Sequence, residues 1–161
     1  MNDAAMRVKD AGEVERVYRE RGEALWRSLV AYAGDREIAN DAVGEAFAQA
    51  VRREPELRDA ERWIWTAAFR IAAGTLQEER RRRGTEVPRD EAYAFPDDTM
   101  AMISMLAALP PKQRAAIVLF YYADLPTRRI AEILRTTPAT VRVHLSQGRR
   151  RLKRLLEESD G

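Results

Sequence analysis

The side chains best placed to do chemistry lie near the end of the sequence, in TPATVRVHLSQGRRRLKRLL (residues 137–156). Thr137 followed by Pro138 is a capping residue followed by a proline at the first helical position, so a helix must begin there. Along it Val141, Leu145, Gly148, Leu152 and Leu155 form one stripe that has to face a core. The opposite side carries Ala139, Arg142, Val143, Ser146, Gln147, Arg150, Lys153 and Arg154. These types suit duplex DNA: an arginine can bond guanine through two N–H groups, Gln147 can bond adenine, and Val143 can meet a thymine methyl. The later arginines suit phosphates, which fix register without reading sequence. Just upstream, Ile130, Ala131, Ile133 and Leu134 can pack on Val141 and Leu145 across a turn of Arg135, Thr136 and Thr137, which makes a helix-turn-helix. The rival reading is an amphipathic surface helix with a solvated basic face. The cap, the tight turn and the preceding short helix together favour the helix-turn-helix.

Other chemistries find little to work with. There are no cysteines and His144 is the single histidine, so thiol nucleophiles, disulfides and thiolate metal sites are excluded. No nucleophile with a positioned base, glycine-rich phosphate loop or ligand cluster is visible, so no enzyme, metal or cofactor is expected. No apolar run approaches the ~20 residues that span a bilayer, and Met1 to Asp10 lacks a signal-peptide stretch, so a soluble cytoplasmic protein with no membrane partner is expected. The net charge of +2 conceals an asymmetry: residues 1–109 carry 17 basic and 21 acidic side chains, whereas residues 110–161 carry 11 and 5. A localised positive field suits a polyanion, although a solvated basic tail gives the same count.

The elements that must position these residues read as helical throughout, since no segment sustains a period of two. An all-α protein of two small helical domains joined by a flexible linker is expected. The first helix runs from about Glu13 to Tyr32, where Gly34 stops it and Asp35 caps a second, from about Arg36 to Arg53. On that second helix Ala39, Val43, Ala46, Phe47 and Ala50 share one side, leaving Asp41, Glu45 and Arg52 on the other. A third helix, from about Asp59 to Arg82, buries Ile64, Ala67, Ala68, Ile71 and Thr75. Its outer side carries Arg62, Thr66, Phe69 and Arg70, with Trp65 on the flank. Residues 84–98, with Pro88, Pro96 and five acidic side chains, read as the linker. Four short helices follow, from about Asp98 to Ala108, Pro111 to Tyr122, Thr127 to Leu134 and Pro138 to Glu157.

The segment LPPKQRAAIVLFYYADLPTRRIAEILRTTPATVRVHLSQGRRRLKRLL, Leu109 to Leu156, resembles region 4 of sigma-70-type factors. Ahead of it, the chain from Val14 through GDREIANDAVGEAFAQAVRR to RDAERWIWTAAF resembles region 2, and two regions joined by a short linker are typical of the extracytoplasmic-function (ECF) group. The resemblance implies region 2 at 11–83, a linker at 84–98 and region 4 at 99–158. It implies a sigma factor that binds core RNA polymerase, through the clamp of the largest subunit and the flap, and directs initiation at promoter DNA, with an anti-sigma factor as a further partner. The clamp-binding motif matches DAVGEAF, which places Asp41, Glu45 and Arg52 at the polymerase. The part that opens and captures the minus-ten element matches about Glu56 to Arg70, where Arg58, Arg62, Trp65, Phe69 and Arg70 supply cations and stacking surfaces. Tryptophans in helices are more often core than base platforms, Trp63 more so than Trp65. The minus-thirty-five set becomes Thr140, Arg142, Val143, Ser146, Gln147, Arg150 and Arg154.

The chain departs from relatives at Gly44, where glutamine is common, at Phe69, Arg70 and Gly74, where Arg-Asn and a later Asp are frequent, and at Pro126 and Arg129, which replace a serine cap and a glutamate. The alternative is a stand-alone helix-turn-helix regulator outside the polymerase. It needs a dimer surface, and the acidic second helix is a poor one because like charges would meet across the two-fold axis. Finally, an acidic linker beside a cationic recognition helix suggests that in the free protein the halves pack together and hide DNA-binding surfaces.

Overall fold

The computed structural model describes residues 12–83 and 97–160; the expected linker falls largely outside them. The described residues form seven α-helices and a short 3-10 turn, with no strand among them. The first helix, α1 (Gly12–Ala33), ends at Gly34, whose φ of +68° only glycine adopts freely and whose N–H closes the last turn on Val30 O at 2.7 Å. Asp35 then caps α2 (Arg36–Arg53), its Oδ1 accepting from the N–H groups of Glu37 and Ile38 at 2.8 and 3.1 Å. Pro55 lies in a 3-10 turn over Glu54–Glu56 that the sequence reading did not anticipate. Asp59 caps α3 (Ala60–Arg83) by accepting from Arg62 N–H at 3.0 Å.

These three helices pack on one another. Leu25 and Leu29 of α1 meet small residues of α2 and α3, among them Ala39, Ala42, Ala46, Ala67 and Ala68, which let the backbones approach. Each fully buried leucine or isoleucine here contributes about 1.5–3 kcal/mol by leaving water.

The second unit is α4 (Asp97–Ala107), α5 (Pro111–Tyr121), α6 (Thr127–Leu134) and α7 (Pro138–Asp160). Arg135 ends α6 in the left-handed conformation, φ +56°, and its tight turn brings Thr136 N–H to Ala131 O at 2.9 Å. Thr137 Oγ1 accepts from Thr140 N–H at 3.1 Å, so the expected cap starts α7. Val141, Leu145 and Gly148 are buried, as the apolar stripe requires. A Cβ on Gly148 would lie 2.9 Å from Ile117, so this glycine is what allows α5 and α7 to pack so closely.

The two units are in contact. Helix α1 packs on α4 and α5, α3 packs on α6, and one apolar cluster runs through both units. Arg114, only 4% exposed, crosses the boundary and donates to the carbonyls of Tyr32 at 3.3 Å, Ala107 at 3.3 Å and Leu109 at 3.0 Å. Burial lowers its pKa from the ordinary guanidinium value.

Candidate nucleic-acid interface

On α7, Arg142, Val143, Ser146 and Gln147 are exposed and line one shallow surface together with Ala139 and Arg150. Val143 is 51% exposed, an apolar side chain turned to water on an otherwise polar face. Gln113 of α5 donates its Nε2 to Gln147 Oε1 at 3.2 Å, which orients the Gln147 amide. Nothing in the sequence signalled that pair, because the two residues are 34 positions apart. Thr140 is half-buried, and its hydroxyl accepts from Thr137 Oγ1 at 3.0 Å, so it serves the cap.

The arginine run divides by role. Arg149 Nε donates to Tyr121 OH at 2.7 Å, and its guanidinium lies 5.4 Å from the Phe120 ring centroid and 5.6 Å from that of Tyr121. It is thereby anchored to α5. Arg150 and Arg154 are exposed and share a surface hollow with Gln113, Gln147 and Arg151, a cationic concavity with no carboxylate among the described residues that line it.

On α3 the cations and the aromatics part company. Arg62 and Arg70 are exposed, as is Arg58 just ahead of the helix. Trp65 and Phe69, expected on the flank and outer side, are instead 1% and 5% exposed, and that expectation is corrected. Their rings lie 6.4 Å apart, nearly parallel, and Phe69 meets Tyr32 at 5.3 Å. The reason is tertiary. Glu61, Trp65 and Phe69 follow one another at four-residue spacing on one face of α3; Arg21 and Tyr32 of α1 lie against the Trp65 and Phe69 rings, and the second unit meets the stripe at Glu61 and beside Phe69. Glu61 Oε2 accepts from Arg129 of α6 at 3.3 Å. Phe69 and Arg70 line an inter-unit crevice of about 500 Å³ with Ala115, Ile133 and His144. A helical projection of α3 alone cannot foresee a neighbour that arrives from sixty residues downstream. Trp63 is half-buried, with the Arg53 guanidinium 5.8 Å from its ring centroid.

On α2, Asp41, Glu45 and Arg52 all face solvent, opposite the buried Ala39, Ala46, Phe47 and Ala50; Val43 is half-buried. Glu45 accepts from Gln49 at 2.9 Å and lies 3.7 Å from Arg52. Gly44 and Gly74 have open space around them, so neither is required by packing. Among the described residues no His, Asp or Glu cluster could hold a metal, and no helix is long and apolar enough to cross a membrane.

With this geometry in place, residues 99–152 match the family model described as Sigma-70, region 4. That match covers about a third of the chain. Region 4 comprises the helix-turn-helix of α6 and α7, together with α5 and nearly all of α4. No curated protein matches the chain in sequence. The solved structure of CnrH in complex with the cytosolic domain of CnrY is similar at a TM-score of 0.73 and 17% identity, over 90% of this chain and 88% of that one. The sigma factor RpoE of Bartonella quintana, in complex with the anti-sigma factor NepR, is similar at 0.68 and 19% identity, over 84% and 91%. At such identities the likeness is one of fold: a sigma-factor fold extending beyond region 4 through α1, α2 and α3.

Proposed function

We propose that this chain is a sigma-70 family member of the ECF group, a sigma factor that enters core RNA polymerase and directs promoter-specific initiation. The carrying observation is that a matched region 4 with an exposed reading face is joined to a helical unit whose outer α2 face presents Asp41, Glu45 and Arg52. In this reading the α2 face meets the clamp of the largest subunit, and charge complementarity governs the encounter. Region 4 meets the flap and reads the minus-thirty-five element through Arg142, Val143, Ser146 and Gln147, with Arg150 and Arg154 on phosphates. Thr140 supports the start of the same helix.

Capture of the minus-ten element falls to Arg58, Arg62 and Arg70 as phosphate contacts and to Trp65 and Phe69 as stacking surfaces once uncovered. The chain performs no catalysis of its own and works in the cytoplasm. An anti-sigma factor is the expected inhibitor; that the similar RpoE is bound to the anti-sigma factor NepR supports this.

Reconstituted transcription tests the reading. Core polymerase is incubated with genomic templates, with and without this protein, and start sites are mapped. New starts that share upstream sequence and depend on the chain are expected. A chain that shifts duplex DNA but never alters initiation would be a stand-alone regulator instead.

A further inference from the structure

Arg129 sits at the centre of the charged contacts between the units. Its Nη1 donates to Asp59 Oδ2 at 2.6 Å and its Nη2 to Asp59 Oδ1 at 3.0 Å, a bidentate pair, while Nη2 also reaches Glu61 Oε2 at 3.3 Å. Glu132, on its own helix, accepts from Nη1 at 3.0 Å. A second cation stitches the same seam: Arg21 Nε donates to Glu61 Oε1 at 3.0 Å and Arg21 Nη2 donates to Ala123 O at 3.3 Å. The Arg21 guanidinium also lies 5.4 Å from the Trp65 ring centroid. These contacts fasten one end of the stripe that runs through Trp65 and Phe69. Arg114, bonded to Tyr32 O and set 5.4 Å from the Tyr32 ring centroid, fastens the other.

Two features make this closure releasable. The Arg129 side chain keeps 21% of its exposure, and Asp59 and Glu61 keep 35% and 32%, so salt and competing ions reach the node. The Trp65 indole N–H is buried with no hydrogen-bond partner, a penalty that the closed arrangement carries.

We infer that Arg129, clamped by Asp59 and Glu61, is an electrostatic latch that holds region 4 over Trp65 and Phe69 and so keeps the single-strand face of the free chain shut. The closure stands on the geometry alone; its consequence for DNA rests on the function proposed above. The closed form leaves the upstream-reading face of α7 in solvent, so the latch masks one DNA surface and spares the other. Opening requires only that the two units separate, with their helices intact.

The absence of native cysteines allows a donor–acceptor pair to be placed cleanly at Ala48→Cys and Glu158→Cys, both exposed, for single-molecule energy transfer on the full chain. The parent should show one predominant population at low salt. Arg129→Glu should shift the closed-to-open ratio at least tenfold toward open with unchanged helical circular dichroism, and Arg129→Lys should lie between. Raising salt from about 0.05 to 0.5 M should open the parent and leave Arg129→Glu nearly unmoved. Asp59→Asn keeps an oxygen for the α3 cap and removes the charge, so it should open the chain without unfolding the helix, and it serves if Arg129→Glu folds poorly. In parallel, a labelled single-stranded oligonucleotide should bind Arg129→Glu at least tenfold tighter than the parent. Identical distance distributions for parent, Arg129→Glu and Asp59→Asn would overturn the latch. Opening with no gain in single-strand affinity would overturn the masking, and would locate the failure in the proposed role of Trp65 and Phe69.

Discussion

On α7 the residues suited to reading bases stand in water, Val143 at 51% exposure, whereas on α3 the aromatics suited to stacking on bases are covered, Trp65 at 1%. Both faces belong to helices with sharply capped starts and both carry arginines, so local sequence does not separate them. What separates them is packing: α7 buries its apolar stripe against α5 and α6 and, among the described residues, exposes its other side, while α3 is buried on two sides, by α1 and α2 and by α6 of the second unit. A surface that reads intact duplex can stand open without harm. Exposed aromatic surface invites nonspecific contacts, and here it is enclosed until the units part.

The largest effect that would break this contrast is at Trp65. Trp65→Ala should lower the stability of the folded chain by about 3–5 kcal/mol, as for a buried aromatic, and Val143→Ala should change it by less than about 0.5 kcal/mol. Chemical denaturation measures both, and equal effects would dissolve the distinction. Next in size, Arg142→Ala or Gln147→Ala should each weaken binding to the preferred upstream duplex by about 1–3 kcal/mol while leaving nonspecific duplex little changed. Titration against matched and scrambled duplexes distinguishes these outcomes.

Smaller again, Arg150→Ala or Arg154→Ala should weaken binding to all duplexes alike and reduce the slope of log affinity against log salt by about one. Arg149→Ala should leave that slope unchanged, since its guanidinium is held on Tyr121.

The smallest effect at neutral pH concerns the covered face. The hydrogen bonds from Arg129, aided by the Arg62 N–H, hold the Asp59 carboxyl below its ordinary pKa, against an opposing push from burial. A depressed carboxyl stabilises the closed form above its ordinary pKa, near 3.9, and that contribution is lost as pH falls through the lowered value. Between pH 8 and 5 the Asp59 contribution to closure should therefore stay constant, and it should fade only below about pH 4. Energy transfer across the two units follows it, and an opening centred near neutral pH would contradict this assignment.

Much of the architecture was legible from residue order. Gly34 and Asp35 marked the α1–α2 junction, Thr137 and Pro138 the start of α7, and the apolar stripes identified the inward side of α2 and α7, because each is a local signal of capping or periodicity. The outward side of α3 was not legible. Phe69 and Trp65 carry no local signal of the neighbours that bury them, Arg21 and Tyr32 of α1 and, beside Phe69, Ile133 of α6. Arg129 drew notice as a departure from the family pattern, yet its partners Asp59 and Glu61 follow only from the docking of α6 on α3. Arg114, Gln113 and Arg149 gave no signal at all, since each acts across a helix–helix contact whose register is set by packing.

The most direct test of the account presents the same purified chain with two DNA probes, an upstream duplex and a single-stranded minus-ten-like oligonucleotide, with and without core polymerase. The account predicts salt-sensitive duplex binding by the free chain, and strong single-strand binding only once polymerase or a broken latch separates the units. Tight single-strand binding by the free, unaltered chain at low salt would contradict it.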